Sequence, residues 1–214
     1  TGGNSTHEAI ELTVSAAEAG ADYSLSVTPY YNKPTQQGLF EHFQAVARSV
    51  NLPIILYNVP GRTGCDLLND TVVKLSQIDN IVAIKDATGD VARVAALIEA
   101  VPDGFAVFSG DDATALELMR RGGQGNVSVT ANIAARDMAA MCNLALAGEW
   151  EAAAEIDARL SELNDLLFIE ANPIPVKWVM AQRGMIEEGI RLPLTPLSEP
   201  CRGDLERALE TYFA

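Results

Sequence analysis

The chain has 214 residues, of which 48% are hydrophobic and 21% are charged, a composition typical of globular proteins and unlike that of disordered chains. Its 15 Lys and Arg against 29 Asp and Glu give a formal net charge of −14, which repels phosphates and anionic lipids and so argues against nucleic-acid and membrane partners. No apolar run reaches the ~20 residues that a membrane-spanning helix needs.

Short apolar runs alternate with helical patterns up to residue 132, an order typical of βαβ units around a parallel sheet. The chain opens with a turn and then a helix capped by Ser5 or Thr6. Five strands in sequence predict either a barrel or a doubly wound sheet. The predicted strands are 23–27, 53–57, 81–85, 105–109 and 126–129, and the helices between them are 35–50, 71–77, 91–101 and 113–121.

Beyond residue 132 only helical patterns follow, separated by glycine and proline. These helices are predicted at 134–147, 149–169, 175–183 and 202–211. We therefore predict two domains, a strand-containing domain at 1–147 and a helical domain at 148–214.

The cysteines Cys65, Cys142 and Cys201 are odd in number and widely spaced, with no C-x-x-C pair. This spacing argues against a disulfide framework or a structural zinc site and indicates free thiols in a cytoplasmic protein. Neither His7 nor His42 belongs to a metal-binding pattern, so no metal site is expected. No basic start followed by an apolar core indicates a targeting peptide.

Three residues near strand ends could carry chemistry, because the loops after parallel strands build the sites of α/β folds. Lys85 ends an apolar strand, where burial would favour a neutral amine able to form a Schiff base; the alternative is a lysine that reaches water or pairs with Asp86. Tyr57 ends the preceding strand and could relay protons, or be an ordinary tyrosine at the rim. Arg62 follows a Pro-Gly turn and could clamp a carboxylate, or be a surface arginine.

Asp111 and Asp112 could act as paired carboxylates for acid/base or metal chemistry. Because they precede a predicted helix, we interpret them as its N-cap and first-turn partners. The glycines at 122–125 lack the spacing of a dinucleotide-binding motif.

Taken together, six motifs in order resemble the dihydrodipicolinate synthase family, also called the 4-hydroxy-tetrahydrodipicolinate synthases. The resemblance implies a (β/α)8 TIM barrel with a C-terminal helical domain and a lysine Schiff-base aldolase that needs no cofactor. The motifs are Val-Thr-Pro-Tyr-Tyr-Asn-Lys-Pro-Thr at 27–35, Leu-Tyr-Asn-Val-Pro-Gly-Arg-Thr-Gly at 56–64, Ile-Lys-Asp-Ala-Thr-Gly at 84–89, Phe-Ser-Gly-Asp-Asp at 108–112, Val-Ser-Val-Thr-Ala-Asn at 127–132 and Asn-Pro-Ile-Pro-Val-Lys-Trp at 172–178.

The resemblance assigns a role to four side chains. It implies that Lys85 forms an imine with pyruvate and that Tyr57 shuttles protons around it. Tyr31 matches a tyrosine that each subunit lends to the site of its neighbour. Arg62 matches the arginine that receives the carboxylate of the second substrate, L-aspartate 4-semialdehyde. The product belongs to lysine and diaminopimelate biosynthesis.

The resemblance further implies that Gly110 and Val127 line the pyruvate pocket and that the protein is a homo-oligomer, a dimer of dimers. In members that L-lysine inhibits, the effector lies at the tight dimer interface, and Asn4, Glu8 and Tyr30 match its contacts. Asn4 and Glu8 are four residues apart, a spacing that would let both face one ligand from a helix. The alternative makes Glu8 a first-turn dipole partner and Asn4 a turn residue.

The family begins with two βα units carrying a Gly-Thr-Thr-Gly-Glu motif and then a third strand, which this sequence does not contain. Its strands therefore match the fourth to the eighth, and we expect an open barrel with unpaired strand edges and weak lysine binding. Two other functions stay open: a related keto-acid aldolase such as N-acetylneuraminate lyase, and a non-catalytic assembly or folding remnant. Arg62 and the Tyr-Tyr pair favour the synthase.

Overall fold

The computed structural model describes residues 1–213, which divide into two compact units, Thr1–Gly125 and a second that begins at Asn126. The predicted domains, 1–147 and 148–214, concern the barrel and its helical extension, and that division stays a prediction. The compact units divide earlier in the chain because helix α7 (Ala131–Leu146) packs mainly against α8 (Trp150–Leu166).

Five strands form one sheet in the order of the sequence. The first three neighbouring pairs are parallel, and β2 and β3 pair Tyr57 with Lys85 and Asn58 with Asp86. Their residues are mainly apolar, as is typical of buried parallel strands. The strands are β1 (Ser24–Val27), β2 (Ile54–Asn58), β3 (Ile81–Asp86), β4 (Ala106–Ser109) and β5 (Gly125–Asn126).

Helices connect the strands of this unit, and two of them begin at side-chain caps. The Thr35 hydroxyl accepts a hydrogen bond from the Gly38 amide at 3.1 Å, and the Asp90 carboxylate accepts one from the Arg93 amide at 3.0 Å. The helices are α1 (Thr6–Glu18), α2 (Gln36–Ser49), α3 (Pro60–Thr63), α4 (Asn69–Leu75), α5 (Val91–Ala100) and α6 (Ala115–Arg120).

The first four predicted strands are confirmed to within one residue at each end, but the fifth is wrong in extent. β5 has only two residues, because the chain turns towards the next helix: the Ser128 hydroxyl accepts a hydrogen bond from the Ala131 amide at 2.8 Å. The Pro-Gly turn proposed before Arg62 is instead the short helix α3.

The core of the first unit lies between one face of the sheet and helices α2, α4 and α5. Side chains alternate between the two faces of a strand, so Tyr57 and Lys85 lie on the face opposite to this core. The fully buried apolar side chains include Leu39 and Phe43 of α2, Ile54 and Leu56 of β2, Ile84 of β3, Val72 and Leu75 of α4 and Leu97 of α5.

The second unit is helical, as predicted, and its remaining helices are α9 (Ile174–Gln182) and α10 (Glu199–Phe213). Leu160 and Leu163 of α8 and the following Leu167 form part of its buried interior. Across this unit, the Thr130 hydroxyl donates a hydrogen bond to the Asn164 amide oxygen at 2.7 Å. Within residues 1–213, no helix is long and apolar enough to cross a membrane.

Candidate active site

Tyr57 and Lys85 are the next-to-last residues of the neighbouring strands β2 and β3, where they are paired in register, and the structure brings their side chains together. The Lys85 Nζ lies 4.2 Å from the centroid of the Tyr57 ring. Burial lowers the pKa of the Lys85 amine, the nearby Asp112 carboxylate opposes that shift, and the Arg62 guanidinium adds to it. Asp86 does not pair with Lys85, because it points to the opposite face of β3. A lowered pKa increases the fraction of neutral amine at a given pH, and the neutral form is the one that can act as a nucleophile.

The Tyr57 phenol shares this partly buried environment. Burial raises its pKa above the usual 10, and the positive charge of Arg62 opposes the shift. The phenol therefore stays protonated at neutral pH. A protonated hydroxyl beside a nucleophilic amine can donate a proton to a substrate oxygen and take it back later.

Gly110 follows β4, and its lack of a side chain leaves space for the Lys85 side chain. Its amide donates a hydrogen bond to the Asp86 carbonyl oxygen at 2.7 Å, which fixes the backbone here. A Cβ atom at this position would lie 2.7 Å from Lys85 Cε and 2.9 Å from Ala87 Cβ. A side chain at position 110 would therefore require the Lys85 side chain to move.

The resemblance predicts that Lys85 forms an imine with pyruvate, and we predict that Gly110→Ala slows this step by roughly 10-fold or more, because a misplaced reacting atom is costly. The overpacked site should also lose about 1–3 kcal/mol of unfolding free energy. Borohydride trapping and thermal unfolding measure the two effects. Gly189→Ala is the matched control, since no atom outside Gly189 and its two chain neighbours lies within 4 Å of a Cβ built there. A variant with normal trapping would show that Gly110 does not constrain Lys85.

Arg62 lies on α3, after β2, where its guanidinium influences both Lys85 and Tyr57. The next residue, Thr63, is buried and holds this segment: its hydroxyl lies 3.2 Å from the Val59 carbonyl oxygen and 2.8 Å from that of Cys65, either of which can accept its proton. Gly64 ends the helix with φ at +69°, a conformation that favours glycine. Arg62 itself is exposed and so can meet a solvent-borne anion.

The loop after β1 carries Tyr30 and Tyr31 and is anchored beside the Arg62 segment. The Tyr31 amide donates a hydrogen bond to the Thr63 carbonyl oxygen at 3.0 Å, and its φ is +75°, which is unusual for a bulky residue. The Tyr31 side chain is 87% exposed in the single chain. Its predicted role in a neighbouring subunit's site therefore stays a prediction.

The effector residues differ from their predicted arrangement in one respect. α1 begins at Thr6, and the preceding Ser5 is extended, so Asn4 lies outside the helix. The expectation that Asn4 and Glu8 share a helical face is therefore wrong. The Asn4 carbonyl oxygen accepts a hydrogen bond from the side-chain Nδ2 of Asn32 at 2.7 Å, while Glu8 is exposed. The predicted role in binding L-lysine is a separate question and stays a prediction.

The interpretation of Asp111 and Asp112 also changes. α6 begins at Ala115 with Thr114 as its N-cap, so neither carboxylate caps it. Asp111 accepts hydrogen bonds from the Thr114 amide and hydroxyl, at 3.2 and 2.7 Å, in the turn before the helix. Asp112 is 2% exposed and acts electrostatically on Lys85, an influence that sequence reasoning missed. Its position just after β4 was the only signal.

Val127 and the three cysteines are the remaining candidate groups of the sequence. Val127 is 40% exposed and belongs to the second compact unit, so its predicted place in the pyruvate pocket stays a prediction. None of the three cysteines forms a disulfide bond within the part of the chain that the structure describes. Among residues 1–213, no group of three His, Cys, Asp or Glu side chains could hold a metal ion.

Comparison with known proteins agrees with these features. The model described as the Dihydrodipicolinate synthetase family matches residues 1–212. The 4-hydroxy-tetrahydrodipicolinate synthase of Marinobacter nauticus is 60% identical over 211 residues, 98% of this chain and 72% of the relative.

Two solved structures extend the likeness to the fold. The chloride-inhibited dihydrodipicolinate synthase from Acinetobacter baumannii, complexed with pyruvate, matches with a TM-score of 0.98 at 57% identity, covering 100% of this chain and 73% of the other. The dihydrodipicolinate synthase from Cyanidioschyzon merolae with lysine bound matches with a TM-score of 0.96 at 40% identity. This match covers 99% of this chain and 72% of the other. The predicted TIM-barrel class is confirmed, with five strands described here of the eight in a complete barrel. The chain belongs to the dihydrodipicolinate synthetase family.

Proposed function

We propose that this chain is a lyase, a 4-hydroxy-tetrahydrodipicolinate synthase, that condenses pyruvate with L-aspartate 4-semialdehyde in lysine and diaminopimelate biosynthesis. The observation that carries the proposal is the Lys85 amine, with its lowered pKa, 4.2 Å from the Tyr57 ring at the ends of two parallel strands. The curated relatives of that name and the pyruvate complex of the similar structure support it.

The reaction begins when the neutral Lys85 Nζ attacks the pyruvate carbonyl carbon. The carbonyl oxygen takes up protons and leaves as water, which gives an imine, and Tyr57 supplies and recovers protons. The positive imine acidifies the pyruvate methyl, which loses a proton to form an enamine. The enamine carbon bonds to the aldehyde carbon, whose oxygen is protonated. The amino group of the second substrate then attacks the imine carbon, closes the ring and displaces Lys85.

In this scheme the other residues bind the substrates and line the pocket. The exposed Arg62 fork receives the carboxylate of the semialdehyde, and Gly110 lines the pyruvate pocket. The same role for Val127 rests on the resemblance alone. Tyr31, exposed in the single chain, extends to the site of a second subunit in a homo-oligomer, a dimer of dimers. The covalent imine on Lys85 takes the place of a cofactor. We assign the enzyme to the cytoplasm.

Two measurements on the wild-type protein test the proposal. Pyruvate with borohydride should add one pyruvate-derived group to the peptide that contains Lys85. Product formation should then require L-aspartate 4-semialdehyde. Faster cleavage of N-acetylneuraminate than condensation would favour the related aldolase, which shares the lysine and tyrosine. The absence of trapping would favour the non-catalytic alternative.

We also propose L-lysine as an effector, and we predict that it binds only weakly to the 214-residue chain. Only three residues of the chain match the contacts of the effector, and they do not form an enclosed site. Glu8 is exposed, Tyr30 is 45% exposed, and Asn4 lies outside the helix. Calorimetry with L-lysine measures the affinity, and Glu8→Gln should weaken whatever binding occurs, with the exposed Glu41→Gln as the control. Tight binding by the chain would contradict the prediction of weak affinity.

A further inference from the structure

Four polar side chains lie behind the Lys85–Tyr57 pair, on the core face of the sheet. We define them as the strand-end network. Two of its members directly follow the reacting residues in β2 and β3, and the other two come from the loop before α4 and from α5. They are Asn58, Asp86, Asp66 and Arg93.

Asn58 and Asp86 are paired in the sheet register, one step beyond Tyr57 and Lys85. They are 0% and 4% exposed, on the face that otherwise packs Leu56 and other apolar side chains. Polar groups placed in such a core are costly unless they are hydrogen-bonded. Asn58 and Asp86 therefore need hydrogen-bond partners, and both have them in this structure.

Asn58 makes contacts with both ends of its amide. Its Nδ2 donates to Asp66 Oδ1 at 3.0 Å and lies 3.5 Å from Asp86 Oδ2, and its Oδ1 accepts from the Leu67 amide at 3.0 Å. The Asp86 Oδ1 accepts from the Thr88 amide and hydroxyl, at 3.0 and 2.5 Å. The two strand ends are thus tied to the loops that follow them.

Arg93 closes the network towards solvent. Its two Nη atoms donate to the two Asp66 carboxylate oxygens at 2.8 and 2.9 Å, and one of them also donates to the Leu67 carbonyl oxygen at 2.8 Å. The pairing with Arg93 lowers the pKa of Asp66, and Asp66 raises that of Arg93, with a further contribution from Asp86. One guanidinium therefore compensates two carboxylates.

The network also reaches the third strand end through the backbone. The Ala87 amide donates to the Asn58 carbonyl oxygen at 2.9 Å, and the Gly110 amide donates to the Asp86 carbonyl oxygen at 2.7 Å. These two hydrogen bonds connect the backbone at the ends of β2 and β3 to each other and to Gly110.

We propose that the strand-end network is a positioning device that holds Lys85 over the Tyr57 ring. The inference rests on the proposed function of Lys85 as the Schiff-base nucleophile. No member of the network touches the reacting atoms. Each acts through the strand end to which it is bonded. Removing the bidentate pair should let the ends of β2 and β3 move apart and admit water to the amine.

The test replaces Arg93 by Met, which removes the fork, and by Lys, which keeps the charge but not the bidentate geometry. Misplacement of a reacting group by about 1 Å can cost on the order of 100-fold in rate. We therefore expect imine formation with pyruvate, followed by borohydride trapping in the full chain, to slow by roughly 10- to 100-fold in Arg93→Met and by less in Arg93→Lys.

A pH profile separates positioning from a loss of folded protein. The groups that face Lys85 are Tyr57, Asp112 and Arg62, and none is altered by these changes. Hydration of the amine should move the midpoint of the rate profile to higher pH, whereas partial unfolding lowers the amplitude alone. Arg121→Met, which removes an exposed ion pair with Glu117 at 3.1 Å, should leave the profile unchanged.

Each result has one meaning for the inference. A slower rate with a raised midpoint in Arg93→Met, and partial rescue in Arg93→Lys, would support it. Folded variants with the wild-type rate and midpoint would overturn it, while trapping of the wild type would leave the proposed function intact. If Arg93→Met does not fold, Arg93→Lys alone decides. Failure of the wild type to trap pyruvate would overturn the proposed function itself.

Discussion

Lys85→Ala should abolish trapping of pyruvate by borohydride and lower kcat by roughly 10⁴-fold or more, because it removes the amine that forms the imine. The variant should still fold, since Lys85 makes its ring contact with Tyr57 without a salt bridge. Intact mass and peptide mapping after trapping measure the loss. Lys74→Ala, at an exposed lysine of α4, is the matched control and should trap normally.

The wild-type reaction should also depend on pH in a defined direction. Only the neutral amine attacks pyruvate, and burial lowers the pKa of Lys85 below its usual 10.5. The rate of imine formation should therefore rise with pH and reach half its maximum below pH 10.5. Trapping at another lysine, or undiminished trapping in Lys85→Ala, would contradict the assignment.

Arg62→Ala should mainly damage use of the second substrate. A charge-assisted hydrogen bond contributes about 1.5–3 kcal/mol, so kcat/KM for L-aspartate 4-semialdehyde should fall roughly 10- to 100-fold. Imine formation with pyruvate should persist. It should slow slightly at neutral pH, because the loss of this positive charge raises the pKa of Lys85 towards its usual value.

Steady-state kinetics with the semialdehyde varied, together with trapping by pyruvate alone, separate the two half-reactions. Arg62→Lys should recover only part of the activity, since an ammonium cannot form the bidentate pair. Arg48→Ala, at an exposed arginine of α2, controls for loss of surface charge. Equal loss of both half-reactions would show that Arg62 does not act chiefly on the aldehyde.

The sequence by itself predicted the parallel strands and the residues at their ends. Alternation of apolar runs with helical patterns is a local property of the sequence. Strands buried on both faces consist of continuous runs of apolar residues, which can be recognised without the structure. Lys85 and Tyr57 were found because each terminates such a run. Six short motifs, all within local stretches of chain, were sufficient to indicate the family.

Only the tertiary structure decided which distant residues meet. The effect of Asp112 on Lys85, the space that Gly110 leaves for it and the Asp66–Arg93 pair all join residues separated by about 25 positions or more. No periodicity encodes such contacts, because they depend on strand register and on helix packing. The same cause explains the wrong expectation for Asn4: spacing alone does not show where a helix begins, whereas the extended Ser5 does.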